Sequence, residues 1–455
     1  MNHNQEPIIA LATSSGVSAI AVVRLSGKGV IKCVNQVFHG ADLTQQASHT
    51  IHFGVIQQGK TKIDEVLVSI FIAPHSFTKE DSVEISCHGA PFIVERLIQL
   101  FLDQGVRIAE AGEFTKRAFL NGRFDLSQAE AVADLIAADA ALAHQIALSQ
   151  MRGCFSSQLQ ELRNELIHFA AMLELELDFA EEDIDFVDRM HLKVLANKII
   201  ERLQLLIESF RLGNVIKHGV SVAIVGQPNV GKSTLLNTLL QEERAIVSPI
   251  AGTTRDTIEG LLHLGGLLFR FIDTAGLRES VTDAIEAIGI ERTKQQVSKA
   301  SIVVYLVDIA NMTLAQAEEA VMALGLEGFP LLKVGNKMDI ATASTLESFS
   351  AKGYLLLSAQ TASGIEVLKN ELLKQVQHTS LHRVGTIVVN ARHYELLQKS
   401  RQALQAVVIG LEEKLSNELL VVDIRNALYH LGQITGNITT EEMLGEIFSK
   451  FCVGK

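Results

Sequence analysis

The residues whose types and spacing could do chemistry most directly are Gly226-Gln227-Pro228-Asn229-Val230-Gly231-Lys232-Ser233. A phosphate chain needs close backbone approach, which the glycines permit, and a ring of N–H donors at a helix N-terminus. Lys232 adds a positive point charge and Ser233 a hydroxyl for Mg²⁺. The string comes after the apolar run Val220–Val225 and precedes the helical-looking Thr234–Leu240, so strand, loop and helix stand in the order a phosphate cradle requires. Glycine-rich turns also arise for steric reasons alone, and the motifs further along the chain decide between the two.

Asp273-Thr274-Ala275-Gly276 follows the strand-like Leu267–Ile272, which puts a carboxylate at a strand end, in reach of Mg²⁺ through water, and the Gly276 N–H toward a γ-phosphate. Asn336-Lys337-Met338-Asp339 follows the strand-like Phe329–Val334. There Asp339 can accept from both the ring N–H and the exocyclic amine of guanine, a pattern that adenine does not offer. Ser358-Ala359, after Tyr354–Leu357, completes the base pocket by its place in the order. The ordered motifs resemble the translation-factor-related, Ras-like GTPases, and Gly-x-Pro-Asn-x-Gly-Lys-Ser narrows the resemblance to the subgroup that assembles and modifies RNA machinery. Leu277 stands where a Ras-like enzyme carries a water-orienting glutamine, so hydrolysis must be assisted otherwise. Ile246-Val247-Ser248-Pro249-Ile250-Ala251-Gly252-Thr253-Thr254-Arg255-Asp256 supplies candidates. Thr254 can close on Mg²⁺, while Asn229 and the loop carbonyls offer neutral oxygens suited to K⁺, which would take the position of an arginine finger.

The elements that must position these residues belong to a chain of 455 residues, long enough for roughly three domains at about 150 residues each. Its 40 basic and 52 acidic residues exclude a generic polyanion binder, so any RNA site must be a local patch. Cys33, Cys87, Cys154 and Cys452 form no Cys-x-x-Cys pair, which fits a reducing cytoplasm. No signal peptide or transmembrane segment is expected.

From Ile8 to about Ala90 the runs Ile8–Ala12, Ala19–Leu25, His49–Gln57, Glu65–Ile72 and Ser82–Ser86 read as strands, with a helix over Pro91–Gln104. Long helical stripes come next, Phe155 to Leu173 and Leu192 to Phe210, separated by the acidic Asp178–Asp185, which reads as a solvated turn. Gly213 is expected to stop the second helix. Helical texture returns at His393–Leu415, Glu418–Leu431 and a last helix opening at Thr439, with Glu442 closing a capping box. The expected fold is multidomain, α/β and all-α: an N-terminal α/β domain over 1–120, a helical domain in two segments over 121–215 and 379–455, and a Ras-like G domain over 216–378 inserted between them.

Across its whole length the chain resembles the MnmE (TrmE) family of tRNA-modification GTPases. The resemblance rests on Gly112-Glu113-Phe114-Thr115-x-Arg117-Ala118-Phe119-Leu120-Asn121, Asp125-Leu126-x-Gln128-Ala129-Glu130-Ala131, Gly252-Thr253-Thr254-Arg255-Asp256 and the Cys452-Val453-Gly454-Lys455 ending. It implies a K⁺-activated GTPase whose G domains dimerise, in a homodimer held by the N-terminal domains. By matching position the K⁺ ligands are Asn229, Ser248, Ile250 and Thr253, and Mg²⁺ binds Ser233 and Thr254. Glu286, within a stretch one residue longer than in relatives, would position the hydrolytic water. The family's N-terminal domain binds a (6S)-tetrahydrofolate one-carbon derivative, which assigns Arg24, Glu84, Arg123 and Lys455 to folate and Cys452 to the modification motif. Arg123 stands where relatives often have lysine, and Val453 where they commonly have isoleucine. With the flavoprotein MnmG (GidA), as a heterotetramer, the family adds an aminomethyl or carboxymethylaminomethyl group to carbon 5 of the tRNA wobble uridine. FAD is expected only in that partner, because this chain has no Gly-x-Gly-x-x-Gly fingerprint. The alternative is a regulatory GTPase switch in ribosome assembly, which would be expected to carry a basic RNA-binding appendage.

Overall fold

The computed structural model describes residues 6–178, 189–241, 258–272, 300–323, 330–377 and 386–454. The chain divides into two compact units, one of Met1–Ile136, Ala147–Ile200 and Lys399–Lys455, the other of Ala137–Ile146 and Glu201–Gln398.

The first unit holds a sheet of seven strands, β1 (Ile8–Leu11), β2 (Ser18–Ser26), β3 (Phe38–His39), β4 (Thr50–Gln58), β5 (Thr61–Phe71), β6 (Ser82–Gly89) and β7 (Arg107–Ile108), in the order β3-β4-β5-β6-β2-β1-β7. Every neighbouring pair is antiparallel except β1 with β7. Alternation decides the faces. Val23 and Leu25 of β2, Val66, Val68 and Ile70 of β5, and Val83 and Ile85 of β6 are buried against Leu97, Leu100 and Phe101 of the helix Pro91–Leu102. Arg24 and Glu84, the residues between them, therefore share the opposite face, and the β2–β6 register places them side by side. In the helical part, Phe155, Leu159, Leu162, Leu166, Phe169 and Leu173 are all buried along Cys154–Asp178, as their spacing predicts. That helix packs with Asn417–Thr435, and Arg425 reaches Glu174 at 2.7 Å.

The second unit holds a sheet of β8 (Val220–Val225), β9 (Ile258–Leu264), β10 (Leu267–Ile272), β11 (Ile302–Asp308), β12 (Leu331–Asn336) and β13 (Leu355–Leu356), ordered β13-β12-β11-β8-β10-β9. All its pairs are parallel apart from the β9–β10 hairpin. Both faces are covered. Val222 and Ile224 pack with Leu235 and Leu236 of the helix Lys232–Gln241, while Ala223 and Val225 pack with Ala317 and Phe349 of two helices on the other side. The loops after β8, β11, β12 and β13 consequently gather at one edge, where an open α/β sheet binds its ligands.

Two local expectations change. Gly213 does not end its helix, which runs Arg189–His218. Its missing side chain serves a close approach instead, since a Cβ there would lie 2.0 Å from the Val388 carbonyl oxygen. The last helix, Glu441–Phe448, is capped by Thr440 rather than Thr439, because the Thr440 hydroxyl accepts from the Met443 N–H.

Candidate functional site

The loop after β8 turns through Asn229, which has φ +62°, a left-handed conformation that asparagine tolerates better than most residues. The helix Lys232–Gln241 then starts with the Leu235 N–H bonded to the Gly231 carbonyl, and the orphan amides of its first turn point where a phosphate can accept from them. Lys232 Nζ donates to the carbonyls of Gly226 and Gln227, each at 2.8 Å, and burial holds its pKa below the usual lysine value. The side chains of Asn229 and Ser233 are exposed and bonded to none of the described residues. Their amide oxygen and hydroxyl fit a large monovalent cation and Mg²⁺ respectively. Thr234 is likewise exposed, while Val230 is buried beneath the loop.

Asn336 joins two loops. Its Nδ2 donates to the Val230 carbonyl at 2.7 Å, and its Oδ1 accepts from the Ala359 N–H at 2.9 Å. The phosphate loop and the Ser358-Ala359 loop are thus pinned to one buried carboxamide. Thr238, which sequence reasoning passed over, adds a bond from its hydroxyl to the Ala359 carbonyl at 2.8 Å. Lys337 comes next with φ +66°, and its ammonium sits 2.6 Å from Asp308 Oδ2. Asp339 is exposed, and its carboxylate has no partner among the described residues, which leaves both oxygens available to a guanine base. Ser248, Pro249, Ile250, Ala251, Gly252, Thr253, Thr254, Asp273, Thr274, Ala275, Gly276, Leu277 and Glu286 lie outside the described residues.

A second polar centre occupies the open face of the N-terminal sheet. Arg24 donates through Nε to Glu84 Oε1 at 2.9 Å and through Nη2 to the same oxygen at 2.8 Å, which leaves Glu84 Oε2 without a partner among the described residues. The pair lines a cavity of about 490 Å³ together with Phe77, Lys79, His49 and Arg123. Both guanidiniums lie over the Phe77 ring, Arg24 at 5.7 Å and Arg123 at 5.0 Å from its centroid. Arg123 also donates to the Ser76 carbonyl at 2.5 Å, and burial lowers its pKa. Arg117, 2% exposed, bridges Glu80 at 3.1 Å and Glu113 at 2.9 Å. Glu113 is bound in turn by Arg107. The Glu113–Arg117 bond is an i,i+4 helix pair, but nothing in the local sequence shows Glu80, which is 37 positions from Arg117.

The end of the chain comes to the same place. The Gly112 N–H donates to the Cys452 carbonyl at 3.3 Å, Val453 bridges Ala111, and Arg24 Nη1 lies 3.5 Å from the Gly454 carbonyl. Gly454 has φ +93°, and a Cβ there would come within 2.3 Å of the Leu11 carbonyl oxygen, so only glycine fits. The Cys452 side chain is exposed; Lys455 lies outside the described residues. Among the described residues no cluster of His, Cys, Asp and Glu could hold a metal ion, and no helix is long and apolar enough to cross a membrane.

Comparison with known proteins matches residues 7–123 to a family described as GTP-binding protein TrmE N-terminus and residues 126–452 to one described as MnmE helical domain. The tRNA modification GTPase MnmE of Cytophaga hutchinsonii is 51% identical over all of this chain and 98% of that protein. Its namesake in Flavobacterium johnsoniae is 52% identical over 99% of this chain and 100% of that protein, and that of Bacteroides thetaiotaomicron 45% identical over the same shares.

Proposed function

The chain belongs to the MnmE family of tRNA modification GTPases, and from that membership we propose that it is a K⁺-activated GTP hydrolase serving wobble-uridine modification. With the flavoprotein MnmG (GidA), it installs an aminomethyl or carboxymethylaminomethyl group at carbon 5 of the uridine, taking the carbon from a tetrahydrofolate one-carbon unit. The observation that carries the reading is the seating of Cys452–Gly454 beside the Arg24–Glu84 pair. It brings the Gly454 carbonyl to Arg24, which with Glu84, Arg123 and Phe77 lines the cavity.

Each residue has a definable task. In the cavity, Glu84 Oε2 would accept from the amino-pyrimidinone edge of the pterin, and Arg24 and Arg123, with Lys455, would meet the polar and anionic groups of the folate. In the G domain, Lys232 and the loop amides hold the phosphates, Asp339 reads guanine, and Asn336 keeps the two loops together. Ser233 and Thr254 would hold Mg²⁺, and Asn229 with Ser248, Ile250 and Thr253 would hold K⁺. When bound, these cations neutralise charge that builds up during phosphoryl transfer. Glu286 orients the water that Leu277 cannot.

The four-part division at 120, 215 and 378 belongs to the same proposal, as do a cytoplasmic location, a homodimer through the N-terminal domains and FAD carried only by MnmG. Ile51 and Phe53, 65% and 66% exposed, and Leu67 opposite Phe53 support the dimer as an apolar patch on the sheet face away from the Pro91–Leu102 helix. Mass analysis of tRNA from cells lacking the protein tests the reading. Wobble uridines without the carbon-5 group are expected. Fully modified uridines would contradict it, and a ribosome-assembly defect beside intact uridines would favour the alternative.

A further inference from the structure

Asp308 closes β11, a strand whose seven residues are all buried, and it is the strand's single charge. Its carboxylate is 13% exposed and fully engaged. Oδ2 accepts from Lys337 Nζ at 2.6 Å and from Asn311 Nδ2 at 2.9 Å, while Oδ1 accepts from the Ala310 N–H at 3.1 Å. The β11–β12 register sets Asp308 opposite Asn336, the residue that clamps the phosphate loop. Lys337 is held in a left-handed backbone conformation that lysine adopts at a cost. The pair lines a cavity of about 620 Å³ together with Gln227, Pro228, Asn229 and Val230 of the phosphate loop.

We propose that Asp308 is the positioning residue for Lys337, fixing the lysine between the phosphate loop and the guanine loop so that it covers the bound nucleotide. The inference rests on the guanine-nucleotide reading of this site. A lysine has a long stem with many rotamers, and binding a nucleotide against a loose one requires ordering it first. A charge-assisted bond to a carboxylate that is itself held by Asn311 and a backbone amide does the ordering in advance. Asp308 thus lowers nucleotide dissociation through Lys337 without touching the base.

The test is a double-mutant cycle read by the dissociation rate of a fluorescent GDP from the full-length protein. Wild-type binding of GDP in preference to ADP checks the guanine reading independently. Asp308→Asn keeps the shape, removes the charge, and is expected to speed GDP release about tenfold. In a Lys337→Ala background the same substitution is expected to add nothing, because its effect passes through the lysine. Asn311→Ala removes one bond to the same oxygen and gives a smaller acceleration that also vanishes with Lys337→Ala; it carries the test if Asp308→Asn does not fold. A GDP release rate within about twofold of wild type for the single variants, or effects that multiply in the double variants, overturns the proposal.

Discussion

Asn336 Nδ2 donates to the carbonyl of Val230 at 2.7 Å across 106 positions of sequence. The same side chain accepts from the Ala359 N–H, so the Gly226–Ser233 loop and the Ser358-Ala359 loop have one common anchor. Asn336→Ala leaves a carbonyl and an amide unpaired in the interior, each costing about 1–3 kcal/mol. GTP affinity is expected to fall at least about tenfold, measured by titration with a fluorescent analogue. Unchanged affinity would show that the loops hold their positions without the clamp.

Asp339 has an exposed carboxylate with no partner among the described residues. Asp339→Asn turns one acceptor into a donor, so the variant is expected to lose GTP and gain xanthosine triphosphate. Competition between the two nucleotides measures the switch, and an unaltered preference for GTP would rule out this residue as the base reader.

The Asn229 side chain is exposed and bonded to none of the described residues, and Leu277 can neither donate nor accept. GTP turnover is therefore expected to be about tenfold or more faster in K⁺ than in Na⁺ at equal ionic strength. Equal rates in the two salts would remove the cation from the account.

Glu113 gives the N-terminal unit a defined pH response. Burial alone would raise its pKa, but the Arg107 bonds, the Glu110 N–H and Arg117 outweigh it and hold the carboxyl below its usual value. A carboxylate depressed on folding stabilises above its unfolded pKa, and that stability is lost as the pH falls through the folded value. Glu113→Gln, which takes from the buried Arg117 one of its two carboxylate partners and from Arg107 its own, is expected to cost about 3 kcal/mol at neutral pH. In urea unfolding, the gap to wild type should close only in acid, below the ordinary carboxylate pKa. A gap independent of pH would mean that shape rather than charge is responsible.

Much of this was legible in the sequence because it is local. The phosphate loop, β10 and the buried stripe from Phe155 to Leu173 arise from spacing within a few turns of chain. What was not legible depends on distant partners. Gly213 looks like a helix stop until the Val388 backbone is seen against it. Thr439 and Thr440 offer the same cap, and backbone geometry chooses between them. In the Glu80–Arg117–Glu113 network only the i,i+4 pair of the helix Glu113–Leu120 is local; Glu80 joins it from 37 positions away. Asp308 did leave a signal, a lone carboxylate at the end of the apolar run Ile302–Val307, next to the sheet edge where the nucleotide motifs converge.

The central claim is that the GTPase motor and the modification chemistry occupy different parts of the chain, the second assembled from its two ends at Arg24 and Gly454. Replacing the gene with one that stops before Cys452 tests it most directly. Wobble uridines from those cells are analysed by mass spectrometry, and the purified truncated protein is assayed for GTP hydrolysis. The account predicts unmodified uridines together with undiminished hydrolysis; intact modification, or loss of both activities together, would contradict it.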